Sequence, residues 1–130
     1  MVSLIDTNVI IRFLAADIEE QHLISVDIMR QIHTGKLKVE ILGEVLMEVL
    51  FIMVKIYKET KKDVIKNLQS LLRFEGVVNR DKFILIETLN LMQKKNIDYV
   101  DALICTKNLL QGYGKISFDK DVMLKCDKEN

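Results

Sequence analysis

The sequence predicts an α/β domain in which helices cover both faces of a parallel sheet. Short apolar runs with strand character recur along the chain and are separated by stretches of helical periodicity. Two of these runs end in an acid, in Ser3-Leu4-Ile5-Asp6 and Ile116-Ser117-Phe118-Asp119. In open parallel sheets, sites form beyond the carboxyl ends of the strands, so this placement is also the first pointer to function. The length of 130 residues, 49% hydrophobic and 29% charged, fits one globular domain over residues 1–130 with its own core.

Met1 to Ile5 reads as a buried strand ending at the polar turn Asp6-Thr7-Asn8. Val9 to Ala15 is a short helix. Asp17 to His33 carries Ile18, Leu23, Ile24, Ile28 and Ile32 at helical spacing; Asp17 is its expected N-cap and Gly35 its stop. Leu37 to Ile41 alternates apolar and charged residues as a strand does. Leu42 to Lys58 and Thr60 to Phe74 follow as helices, and Gly76 to Val78 as a third strand. Arg80 to Lys95 and Asp98 to Leu110 are helical. Gly114 to Phe118 is a strand that meets Asp119.

Composition excludes several classes. Nineteen basic and nineteen acidic residues give a formal net charge of zero. That is not a polybasic nucleic-acid binder held by bulk charge, nor a disordered acidic tail. The neutrality hides an asymmetry: residues 1–54 hold eight acids and four bases, residues 55–130 eleven acids and fifteen bases. Lys55, Lys58, Lys61, Lys62 and Lys66 form a basic stretch, which is either a solvated helix face or a shoulder for an RNA backbone. The most apolar run, Val49 to Val54, is far short of the roughly 20 residues of a membrane span. No leader pattern opens the chain. Cys105 and Cys126 cannot build a disulfide scaffold and suggest a reducing compartment; the expectation is a cytoplasmic protein. Cys105 falls in an apolar helix and reads as core rather than nucleophile.

The acids each have two readings. Asp6 either caps the next helix or aims into the crevice beyond its strand. Glu48 lies with residues 44, 51, 55 and 58 on one stripe of an otherwise apolar helix. That helix is expected to be buried nearly all round, with a thin charged seam. Asp98 and Asp101 sit three apart in the first turn of a helix, where capping and the dipole account comfortably for one of them. Asp119 and Asp121 belong to either a polar turn or a site. Several carboxylates gathered in one small volume require a cation, and oxygen ligands favour Mg2+ or Mn2+ over zinc.

Four segments resemble the motifs of the PIN-domain family, in family order and across essentially the whole chain. They are Val2-Ser3-Leu4-Ile5-Asp6-Thr7-Asn8-Val9-Ile10, Met47-Glu48-Val49-Leu50-Phe51 with Tyr57 downstream, Asp98-Tyr99-Val100-Asp101-Ala102-Leu103, and Ser117-Phe118-Asp119-Lys120-Asp121. The resemblance implies a three-layer α/β/α sandwich with a central parallel sheet of four or five strands. It implies a Mg2+- or Mn2+-dependent ribonuclease, most like the toxin of a VapBC-type toxin–antitoxin pair. Asp6, Glu48, Asp101 and Asp119 match the metal-binding catalytic acids. Asn8 and Ser117 match supporting polar positions, and Asp98 and Asp121 are secondary candidates. Glu44 matches no family position and ranks below Glu48. The implied partners are RNA, a cognate antitoxin and a second copy of the chain. The alternative is a catalytically weak PIN-fold module acting as an RNA- or protein-binding adaptor.

Other chemistries fit poorly. A haloacid-dehalogenase-like phosphatase needs a second acid where Asn8 stands. No Walker A, Gly-x-Ser-x-Gly, His-Glu-x-x-His or Cys-x-x-Cys pattern occurs. His22 and His33 lie outside every motif and read as surface residues.

Overall fold

The apolar opening of the chain contributes a short strand, β1 (Ser3–Leu4), which pairs in parallel with β2 (Val39–Glu40). The structure is a computed structural model and describes residues 1–127, apart from the side chain of Asp121. The chain divides into two compact units, Met1–Arg80 and Asp81–Asn130, described here in turn.

In the first unit β2 is the central element. Ser3 and Leu4 align with Val39 and Glu40 on one side, and Val39 bridges in parallel to Val77 on the other. The Val39 N–H donates to Gly76 O at 2.7 Å, and Val39 O accepts from Val78 N–H at 2.9 Å. Past that bridge a side chain takes over from backbone. The Asn79 amide donates to Ile41 O at 2.7 Å and accepts from Ile41 N–H at 2.8 Å. Gly76 permits the close approach: a Cβ there would run into Leu37 O and stand 2.5 Å from Ile32 O. The expected strand Gly76–Val78 is therefore a single bridge extended by an amide, and Leu37–Ile41 is a strand only at its centre.

Four helices complete the unit: α1 (Thr7–Ala15), α2 (Glu19–His33), α3 (Gly43–Phe51) and α4 (Lys61–Leu72). α3 runs directly into a π-helical turn, Ile52–Ile56, so the expected helix Leu42–Lys58 is present with a loosened last part. Thr60 caps α4 by accepting from Asp63 N–H at 3.2 Å. Gly35 stops α2 in the left-handed region, at φ 82°. Ile10, Ile11, Ile32, Ile41, Leu46, Val49, Leu68 and Leu72 are buried almost completely.

Two expectations about helix faces are corrected. α2 buries Ser25, Met29 and Ile32, whereas Ile18, Leu23 and Ile24 of the expected apolar stripe are exposed. Helical spacing located the helix but not the face that packs. α3 is not buried all round either: Leu46, Val49 and Leu50 are buried, whereas Glu44, Met47, Glu48 and Phe51 lie exposed. The charged seam is one edge of a broad solvent-facing stripe.

The second unit contains α5 (Lys82–Lys95), α6 (Tyr99–Gln111) and a π-helical segment, Asp121–Lys125. α5 and α6 pack together and both pass through buried positions, Leu85, Leu89 and Met92 on α5 and Ala102, Cys105 and Thr106 on α6. Asn96 ends α5 at φ 52° and Gly112 ends α6 at φ 70°. The expected strand Gly114–Phe118 is not formed; Ile116 and Phe118 are fully exposed. Its neighbourhood is held by local bonds instead: Asn108 donates to Tyr113 O at 2.6 Å and Asp119 N–H to Ser117 Oγ at 2.9 Å. Among the described residues the sheet thus has two strands and one bridge, where four or five strands were expected.

The cysteines also depart from expectation. Cys105 of α6 and Cys126, just past the π-helical segment, are joined as a disulfide with Cα atoms 5.5 Å apart. One bond is no scaffold. Closing a loop across 21 positions still restricts the unfolded chain by about 3 kcal/mol in the chain-entropy description. No helix among the described residues is long and apolar enough to cross a membrane.

Candidate active site

The first group of expected site residues belongs to the first unit. Ile5 N–H donates to Glu40 O at 3.4 Å, which extends the β1 pairing to the residue before Asp6. Ile5 is buried and Asp6 is exposed at the N-cap of α1, with extended backbone. Asp6 O accepts from Val9 N–H at 3.1 Å, but its carboxylate takes no cap hydrogen bond. Capping therefore does not use the acid. Two residues on, Asn8 is exposed and lines a cavity of about 180 Å³ between α1 and α2, with Val9, Arg12, Ile24 and Ile28 among its walls. Glu48 stands exposed on α3 beside Glu44, Met47 and Phe51. α1 packs on α3, so the helix that Asp6 opens and the helix that carries Glu48 are neighbours.

The second group lies in the second unit. Asp98 occupies the N-cap of α6, again with no cap bond from its side chain. Asp101 follows in the first turn and is half-buried. Asp119 is exposed, and its N–H is held by the Ser117 hydroxyl. Asp119 O accepts from Met123 N–H at 3.2 Å, which starts the terminal π-helical segment. That segment packs on α6. The Asp121 side chain lies outside the described residues.

Among the described residues no three His, Cys, Asp or Glu side chains are gathered closely enough to hold a metal ion. The chemistry of the donors nonetheless fits one. All four principal candidates are carboxylates, the hard oxygen ligands that Mg2+ and Mn2+ prefer. Asp6 and Asp98 keep their carboxylates out of the cap bonds that would otherwise occupy them. The histidines contribute no donor to this set. His22 Nδ1 is bonded to Arg12 O at 2.9 Å, and His33 meets the Phe74 ring edge-on.

A cluster that sequence reasoning assigned differently ties this region together. Asp17, the expected N-cap of α2, is not that cap; Ile18 is. Asp17 instead accepts from Arg12 Nη1 at 3.0 Å and from the Tyr57 hydroxyl at 2.6 Å. Arg12 Nη1 also donates to the Tyr57 hydroxyl oxygen at 3.1 Å. Bonds to an ionised acceptor outweigh a cap. The Tyr57 hydroxyl, with Arg12 adding to it, holds the Asp17 carboxyl below its ordinary 3.8. The same partners, Tyr57 first, raise Arg12. Tyr57 stood out in the sequence only as the aromatic downstream of Glu48. Its partner is 40 positions away, beyond the reach of any local pattern.

Comparison with known proteins gives one match. A family model described as PIN domain matches residues 3–128. No curated protein and no solved structure matches the chain.

Two outcomes check this geometry. Because the Asp6 carboxylate makes no cap bond, Asp6→Ala should change the urea-unfolding free energy by no more than about 0.5 kcal/mol, against the roughly 1 kcal/mol of a lost cap. The second concerns pH. Asp17 is more acidic folded than unfolded, so its bonds contribute fully above about pH 3.8 and are lost as pH falls through the lower folded value. The difference in urea midpoint between wild type and Tyr57→Phe should therefore shrink below that pH. A difference that stays constant down to about pH 3 contradicts an ionised Asp17 as the acceptor.

Proposed function

The chain belongs to the PIN-domain family, and from that premise we propose that it is a Mg2+- or Mn2+-dependent endoribonuclease. We read it further as the toxin of a VapBC-type pair, acting in the cytoplasm. PIN domains are in general nucleases, and the family match runs across both compact units, which supports treating residues 1–130 as one nuclease domain. The sheet of four or five strands that the resemblance implies belongs to the same reading.

The observation that carries the proposal is the pair of N-cap acids, Asp6 and Asp98, whose carboxylates are not spent on capping, standing within intact acidic motifs. Asp6, Glu48, Asp101 and Asp119 would hold the ion, with Asp98 and Asp121 in reserve. When bound, such an ion lowers the pKa of water and offsets charge on the phosphate. The chain's own part is to present hard oxygens and keep them oriented. Ser117 does this for Asp119 by fixing its N–H, and Asn8 flanks Asp6 on the first turn of α1. Water attacks the phosphodiester in line, and no covalent intermediate forms on the protein. The resemblance implies 5′-phosphate and 3′-hydroxyl products.

The exposed apolar side chains of α3 and its π-helical extension, Met47, Phe51 and Ile56, suit burial by protein. We assign them to a second copy of the chain, with the antitoxin as a further partner. The same stripe favours the second reading, a catalytically weak PIN-fold adaptor that binds RNA or protein.

The test is cleavage of RNA with Mg2+ or Mn2+ by wild type, Asp6→Asn and Asp101→Asn. Both variants should lose at least about a hundredfold in rate, the scale expected when a metal ligand and the charge stabilisation it supports are removed. A variant that cleaves as fast as wild type removes that acid from the assignment. Cleavage by none of the three, wild type included, favours the adaptor.

A further inference from the structure

The disulfide stands between two of the acidic motifs, and that position suggests what it does. Asp101 and Cys105 are four residues apart on α6, hence one turn apart on one face. Asp119 opens the terminal segment whose far end carries Cys126. The bond joins that segment to α6 with a Cα separation of 5.5 Å.

Residues 112–119 have no regular structure, and Ile116 and Phe118 point into solvent. Beside the bond, Val122 of the segment is buried and Lys115 pairs with Asp127 at 2.6 Å. The cysteines differ in position. Both are buried, but Cys105 lies within the regular helix α6, whereas Cys126 lies just past the π-helical segment. Local opening of a short segment that follows irregular chain costs less than opening a packed helix.

We infer that Cys105 and Cys126 form a reversible dithiol–disulfide clamp that sets the position of Asp119 against Asp101. The co-reactant is a low-molecular-weight disulfide such as glutathione disulfide. The Cys126 thiolate attacks one sulfur of that disulfide; its S–S bond breaks and one small thiolate leaves. The Cys105 thiolate then attacks the Cys126 sulfur of the mixed disulfide, forming the Cys105–Cys126 bond and expelling the second small thiolate. Two protein thiols are oxidised, one small disulfide is reduced to two thiols, and the two protons end on the leaving thiolates. In a reducing compartment the clamp is open and the terminal segment is loosely held; under oxidation it closes. The consequence for metal binding rests on the proposed nuclease reading; the effect on the segment does not.

The experiment uses the full chain equilibrated with glutathione disulfide or with a phosphine reductant, and Cys126→Ala under both conditions. Intact mass after alkylation counts the free thiols. Hydrogen exchange follows residues 119–127, and Mn2+ titration uses the metal alone as probe. The oxidised protein should have no free thiol, slower exchange over 119–127, and Mn2+ binding about tenfold tighter than the reduced form, the scale of a ligand's support being lost. Cys126→Ala should match the reduced protein under both conditions. Failure to form the bond, or exchange that is the same in both states, overturns the clamp. Equal Mn2+ binding by both states overturns its control of Asp119 and leaves the nuclease reading intact. If exchange differs but neither state binds Mn2+, the clamp stands and the metal reading fails.

Discussion

The backbone of Val39 is the rung on which the first unit depends. It joins β1 on one side and the chain at Gly76–Val78 on the other. Two side-chain facts make that double pairing possible. Gly76 lacks the Cβ that would strike Ile32 and Leu37, and the Asn79 amide supplies the donor and acceptor that Ile41 would otherwise lack. Buried backbone groups must be paired, so a β2 without these partners would carry unsatisfied groups into the core beside Ile41 and Leu46. Asp6 is placed by the same arrangement, since the β1 pairing reaches Ile5, the residue before it.

Much of this was legible in the sequence, for reasons that differ by element. The helices were readable because their length and periodicity are local properties. So was the stop at Gly35, where positive φ suits glycine. The sheet was less legible. Gly76–Val78 has strand composition, yet its pairing is one bridge and an asparagine amide, and no local pattern announces an amide acting as a strand rung. Ile116 and Phe118 alternate as strand residues do, but alternation states a preference and pairing needs a partner. The faces of α2 and α3 were misjudged because apolar content tells how much surface a helix can bury, and not which side meets the core.

The acids show the same division. Their positions at strand ends and helix starts came from sequence order alone, and Asp6, Asp98 and Asp101 stand where that order put them. What the sequence left open was whether capping uses these carboxylates, and the structure answers that with the absence of cap bonds at Asp6 and Asp98. The Arg12–Asp17–Tyr57 cluster was invisible because Tyr57 lies 40 or more positions from its two partners. Its location is nonetheless informative: it joins the end of α1 to the end of the α3 extension, the two helices that carry Asp6 and Glu48.

The central claim is that the acids of the four motifs bind a divalent cation. The most direct measurement is an Mn2+ titration followed by electron paramagnetic resonance on wild type and Asp6→Asn, each in the oxidised state. The expected result is saturable binding by wild type, weakened at least about tenfold in Asp6→Asn. Binding of the same strength in both, or no saturable binding by wild type, contradicts it.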